Sequence, residues 1–227
     1  MTFKDIIIGI YFLATLLSCL VSLCFIGYKN KPIYLKYFYW YPTLSFLFLL
    51  NKYISLYYIP YQKIMTHDFI EILNNLSFIV HFILLGLFTL NNLPEQKKEK
   101  LIPSIFWIFL IVIIYSIFMQ DLKLKNGLAY GITNSFLIIL CIIYFQQLFK
   151  APPTIILIHS PAFWIINGIF FGMITTIPIN FSGDYFLKDG SNESIQVLKK
   201  LGTFSYITMH LFFIKAYLCI IRPHRVL

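Results

Sequence analysis

Two histidines, His81 and His210, stand inside long apolar runs, and each closes the same pattern. Asn74, Ser77 and His81 recur at i, i+3 and i+7, and so do Thr203, Tyr206 and His210. On a helix that spacing places all three residues on one face. Imidazole titrates near neutral pH, ligates metals, and donates or accepts hydrogen bonds. Amides, hydroxyls and imidazoles are costly in hydrocarbon, so such faces turn toward the interior of a bundle. Asn75 lies beside the first face, Asn134 and Ser135 lie in a later run, and Thr175 and Thr176 in the one after. Two uses compete for this set. It could bind a small ligand or a proton, or it could be the ordinary polar stitching of membrane helices, at about 0.6 kcal/mol per hydrogen bond.

Other chemistries fit less well. Zinc hydrolysis wants three ligands, such as two histidines and a carboxylate, and Glu71 is the only acid that reaches into an apolar run. HExxH, GxSxG and paired carboxylates are all missing, so no enzyme is expected and no catalytic residue is assigned. Haem b is the better-supplied alternative, with His81 and His210 as axial ligands; no other metal is expected. Lys215 raises retinal, carried as a Schiff base in seven-helix proteins of similar length. Those proteins also need a helix 3 carboxylate and an acid one turn before the lysine, where this chain has Leu211. A lysine snorkelling toward the membrane surface is the plainer reading. His67, His159 and His224 fall at helix ends and read as interface residues. Cys19, Cys24, Cys141 and Cys219 all lie in apolar runs without CxxC spacing, and read as buried thiols rather than a disulfide framework.

The elements that must position these groups follow from composition. Of 227 residues, 59% are hydrophobic and 12% charged, with a mean hydropathy of +0.78. Soluble domains carry about 25% charged residues, so a soluble globular protein is excluded. A membrane-crossing helix needs about 20 apolar residues, and the chain divides into seven such runs. The expected architecture is an all-α integral membrane protein: one domain over 1–227, a seven-transmembrane-helix bundle with short loops. Helices are expected at about 5–26, 35–58, 68–90, 101–119, 127–149, 160–181 and 200–221. Pro42 is expected to kink the second, Asp68 to cap the third, and residues 182–199 to form the longest loop. The first run is too long for a signal-peptide core and reads as a retained helix. The stretch Tyr37–Tyr41 reads as an interfacial aromatic anchor.

A net charge of +9 would suggest nucleic acid in a soluble protein. Here the lysines sit between apolar runs, so lipid headgroups are the expected acidic partner and nucleic acid is not. The lysines and arginines divide almost evenly between the two sides. The loops with Lys29, Lys31 and Lys97–Lys100 and the tail with Arg222 and Arg225 favour an outside N-terminus and a cytoplasmic C-terminus. With that orientation Asn75, Asn134 and His210 share one depth, and Thr175, Thr176 and Asn180 fall in the same outer half. An outward-facing polar site between helices 3, 5, 6 and 7 is therefore expected. Polar groups thin out in the inner half, which argues against a third possibility, a small transporter.

The segments Leu73-Asn-Asn-Leu-Ser-Phe-Ile-Val-His81, Asn134-Ser135, Ile142-Ile-Tyr-Phe-Gln-Gln-Leu148 and Ser160-Pro-Ala-Phe-Trp-Ile-Ile-Asn-Gly168, with His210, carry a resemblance. Over nearly its whole length the chain resembles a family of compact, uncharacterised seven-helix membrane proteins common in Bacteroidota. Where many members carry a helix 3 glutamate, this chain has His81. The resemblance implies a receptor-like module in a bacterial inner membrane, signalling through a separate partner such as a sensor kinase or another membrane protein.

Overall fold

The computed structural model describes residues 3–26, 35, 37–58, 63–93, 101–119, 127–150, 157–189 and 192–221. Among these residues there are seven α-helices and no strand: α1 (Phe3–Ile26), α2 (Trp40–Tyr58), α3 (Lys63–Asn91), α4 (Leu101–Met119), α5 (Gly127–Leu148), α6 (Pro161–Asp189) and α7 (Asn192–Ile221). All but α2 are long and apolar enough to cross a membrane. In α2 the pair Asn51-Lys52 and a tyrosine-rich end dilute the apolar run. The basic residues expected in the first and third loops and in the tail lie outside the described residues.

Side-chain pairs define the topology. Tyr11 meets Tyr206 and Phe25 meets Tyr217, so α1 and α7 run parallel. Phe12 meets Tyr53 while Ser22 bonds the Tyr39 carbonyl, so α2 runs against α1. Phe78 meets Tyr130 and Phe82 meets Phe136, making α3 and α5 parallel neighbours. Trp164 and Phe171 flank Phe212, with α6 against α7. The helices form a ring in chain order closed by α1 on α7, and direct contact of α3 with α5 leaves α4 at the periphery.

Packing follows the solvent that hydrocarbon provides. Without a hydrophobic drive between helices, small and polar residues belong inside and large aliphatic ones outside. On α1 the buried positions are Ala14, Thr15, Ser18, Cys19, Ser22 and Phe25, whereas Ile10, Leu13, Leu17, Leu20 and Leu23 are exposed. On α6, Gly168 and Gly172 lie against α7. A Cβ at Gly168 would come within 3.2 Å of the Met209 carbonyl, and one at Gly172 within 2.9 Å of Met209 Sδ. Trp40, Trp107 and Trp164 all lie within two turns of the starts of α2, α4 and α6, hence at one end of the bundle. That is the placement of an interfacial tryptophan belt.

Several boundaries differ from expectation. α3 begins at Lys63, so Asp68 is inside the helix and does not cap it. α6 continues through Gly183 to Asp189 and α7 starts at Asn192, so most of 182–199 is helix rather than loop. At 1.5 Å per residue these two helices measure roughly 43–45 Å, beyond the ~30 Å hydrocarbon core. Their polar turns extend past the apolar span, where Gly183 and Asp184 cost a helix little. α2 starts at Trp40, which puts Pro42 in the first turn, where its missing N–H costs no hydrogen bond, so it does not kink the helix. Within Tyr37–Tyr41 only Trp40 is well exposed. Phe38, Tyr39 and Tyr41 are core residues, tucked in by a turn in which Phe38 N–H bonds the Leu35 carbonyl at 2.9 Å. Cys19 and Cys141 are buried as expected, but Cys24 is exposed on the lipid-facing side of α1.

Candidate functional site

Each buried hydroxyl on these helices must find an acceptor, and the nearest is the carbonyl one turn back. Thr15 bonds the Tyr11 carbonyl at 2.8 Å, Thr133 that of Ala129 at 2.7 Å and Ser135 that of Gly131 at 2.9 Å. Those groups are satisfied within their own helices. The bonds that cross between helices single out the site.

His210 on α7 is 1% exposed, and its Nδ1 lies 2.8 Å from Ser18 Oγ on α1. Ser18 Oγ also donates to the Thr15 carbonyl at 2.9 Å. A serine hydroxyl has one proton. With that proton on the Thr15 carbonyl, the network assigns the second proton to His210: Nδ1–H donates to Ser18, and Nε2 keeps a free lone pair. Tyr11 and Phe213 pack around the ring, with centroids 6.2 and 5.7 Å away. His81 on α3 mirrors this on the other side of the core. Its Nε2 lies 3.0 Å from Ser45 Oγ on α2, and its ring packs on Tyr41 at 4.8 Å. The two imidazoles are within electrostatic reach of one another.

Amide bonds complete the interior. Tyr130 on α5 donates to Asn75 Oδ1 on α3. Asn134 Nδ2 on α5 donates to Thr176 Oγ1 on α6 at 2.9 Å, while Thr176 donates to the Gly172 and Met173 carbonyls. Between these elements lies a cavity of about 30 Å³ whose lining includes Tyr41, His81, Thr133, Asn134 and Tyr206. Its polar lining and size suit water. Pockets for organic ligands run to about 300–1,000 Å³, so this cavity beside His81 is far smaller than one. Among the described residues no three His, Cys, Asp or Glu side chains converge as a metal site needs.

Of the ten residues expected at the site, His81, Asn134 and Tyr206 line the cavity, and Asn75, Thr176 and His210 are buried in bonds beside it. The others are less central. Thr175 is exposed and bonds only backward to the Phe171 and Gly172 carbonyls; one residue of rotation carries it from the Thr176 face to lipid. Ser135 is half-buried and back-bonded, Asn74 reaches Glu71 on its own helix at 3.4 Å, and Ser77 is half-buried. Lys215 is exposed, with its Nζ 5.7 Å over the Trp164 ring. It sits on the outer surface of the bundle, not in an interior pocket where a Schiff base would form.

The expected set omitted α1 and α2 entirely. Thr15, Ser18 and Ser22 are fully buried on α1, and Ser45 is buried on α2. Their spacing, with Cys19, repeats at three to four residues, which is a helical face and could have been seen. The half toward the C-terminal ends of α1 and α7, expected to be the inner one, is also less apolar than expected. Ser22, Tyr39, Thr43, Cys19 and Tyr217 gather there, with the Tyr217 hydroxyl beside Ser22 and the Thr43 hydroxyl beside the Cys19 thiol. Comparison with family models, with characterised proteins and with solved structures finds no match to this chain.

Proposed function

We propose that this protein is a receptor-like membrane sensor or interaction module, with the histidine-centred interior as its input and a separate protein, such as a sensor kinase, as its output. One observation carries the reading: each histidine ties a different helix pair together by a single hydrogen bond to serine, and His81 also lines a water-sized cavity. A proton or water-sized ligand at the free lone pair of His210 would alter the bond to Ser18, and with it the registration of α1 against α7. Helix shifts of ~1–2 Å are a common output of such switches. The expected loops between helices are too short to hold an output domain, and this reading assigns the output to a separate partner. The bacterial inner membrane, with the N-terminus outside, is the setting this reading adopts.

The test is in-cell photo-crosslinking from the exposed α4 surface, followed by assay of the captured partner. His81→Ala and His210→Ala are expected to preserve the crosslink and abolish the partner's response to external pH. If both variants respond as the wild type does, the histidine-centred site fails.

A further inference from the structure

Charge is distributed unevenly along the bundle axis. Helix directions put the ends of α1, α3, α5 and α7 together with the starts of α2, α4 and α6, at the tryptophan end. Among the described residues no carboxylate belongs to that end. Asp5, Asp68, Glu71 and Glu193 fall early in α1, α3 and α7, and Asp184 and Asp189 fall late in α6, all at the opposite end. Of the described lysines, Lys150 and Lys215 belong to the tryptophan end, and both are exposed.

Lys215 is the one set into the apolar span. It lies roughly 9 Å, by the helix rise, from the end of α7 at Ile221. A bare ammonium at such a place is costly, and its surroundings are ordered. Nζ sits 5.7 Å over the Trp164 ring, where the negative face of the indole attracts a cation. The ring is held in place. Its Nε1–H donates to the Ile158 carbonyl at 2.8 Å, and it stacks on Phe212 at 5.7 Å. Cys219, one turn beyond Lys215, donates to the same carbonyl at 3.6 Å and ties α7 to the turn before α6. Phe212 stacks in turn on Phe171, 5.7 Å away and exposed. The α6–α7 contact thus carries a cation toward the membrane surface and a row of rings leading inward from it.

Snorkelling accounts for where the ammonium goes, but not for what neutralises it. The indole leaves the positive charge whole, and among the described residues every carboxylate lies at the far end. A headgroup phosphate lies near the depth of interfacial tryptophans, carries the missing charge, and arrives with an acyl chain attached. A soluble anion would meet the ammonium but gain nothing from Phe212 and Phe171. In phosphatidylcholine the phosphate is already offset by choline, whereas in phosphatidylglycerol it is not.

We propose that Lys215, Trp164, Phe212 and Phe171 form a binding site for an anionic phospholipid. The Lys215 ammonium pairs with the phosphodiester, Trp164 borders the glycerol, and an acyl chain lies on Phe212 and Phe171. This site is separate from the histidine interior and does not depend on the sensor reading.

The test reads Trp164 alone, in the full chain with Trp40→Phe and Trp107→Phe, both at exposed positions. The protein is reconstituted in phosphatidylcholine with a rising share of phosphatidylglycerol, one lipid or the other brominated on its chains so that it quenches a neighbouring indole. Phosphatidylglycerol is expected to quench Trp164 with an apparent affinity about fivefold above that of phosphatidylcholine, the effect of one lysine near an anionic surface. Lys215→Arg should keep that preference, and Lys215→Gln should bring it near parity. Lys150→Gln removes an equal charge from the same end and should leave most of it. Excess glycerol phosphate in the buffer should displace no lipid. Lys215 is exposed, so its replacement opens no cavity, and the wild-type preference is a test by itself. Equal quenching by the two lipids in the wild type would overturn the site, as would an undiminished preference in Lys215→Gln. Equal losses in the two lysine variants would show a diffuse basic surface instead, and displacement by glycerol phosphate a soluble ligand; either result also overturns it.

Discussion

Two seams of this bundle solve the same problem with opposite chemistry. Where α3, α4 and α5 meet, the contact is aromatic: Phe106 stacks on Phe82 at 5.0 Å, and Phe109 on Phe136 at 4.6 Å. Where α1, α2 and α7 meet, buried serine, threonine, tyrosine and histidine join Phe25, Phe38 and Phe213 in the contact. Lipid tails are as apolar as leucine, so neither seam gains from hydrophobic burial. The first holds by van der Waals fit, which is the cheaper solution. The second keeps buried polar atoms that cost energy wherever a partner is lost. A polar seam beside one held mainly by aromatic packing, with the Tyr130–Asn75 bond as its polar contact, indicates a demand other than cohesion.

Substitutions should therefore separate stability from response. The largest loss of stability belongs to the aromatic seam. Phe106→Ala should cost about 3–5 kcal/mol, read as a lowered unfolding midpoint in bicelles, while the folded fraction keeps its pH response. Gly86→Ala attacks the same seam from the other side. Its Cβ would lie 2.3 Å from Phe106 Cε2, and Phe106 is fully buried. Overpacking of this kind should cost about 1–3 kcal/mol. His210→Ala should cost less, about 1–2 kcal/mol for the lost bond to Ser18, yet should remove the response. The smallest effect is expected for Asn134 and Thr176: a double-mutant cycle with Asn134→Ala and Thr176→Val should give a coupling near 0.6 kcal/mol. If the polar-seam variants proved the least stable and the aromatic ones the least responsive, the contrast would be reversed and stitching would be the better account.

The helices were legible because a low charge content and seven apolar runs leave a chain few alternatives in a bilayer. Depth arithmetic placed Asn134 and Thr176 together, since two antiparallel helices of known rise leave little freedom. It could not separate Thr176 from Thr175, because rotation about the helix axis depends on which neighbour packs there. Ser18, Ser22 and Ser45 went unread for a different reason. Serines are common in apolar helices, and most satisfy themselves one turn back, so the α1 spacing marks a face but only the packed bundle shows which ones cross to another helix. Tyr37–Tyr41 misled because tyrosine and tryptophan mark interfaces on average, whereas a turn ahead of α2 drew three of these five residues into the core.

The account rests on the His210–Ser18 bond acting as a switch between α1 and α7, and spin labels can measure that directly. Labels at Leu17 and Leu211, both exposed on the lipid-facing surface, would report the α1–α7 distance in nanodiscs by pulsed electron resonance as pH is stepped from 8 to 3, in a background cleared of native cysteines. The account predicts a distance distribution that shifts with pH in the wild type and stays fixed in His210→Ala. An unchanged distribution in the wild type, or the same shift in the variant, would contradict it.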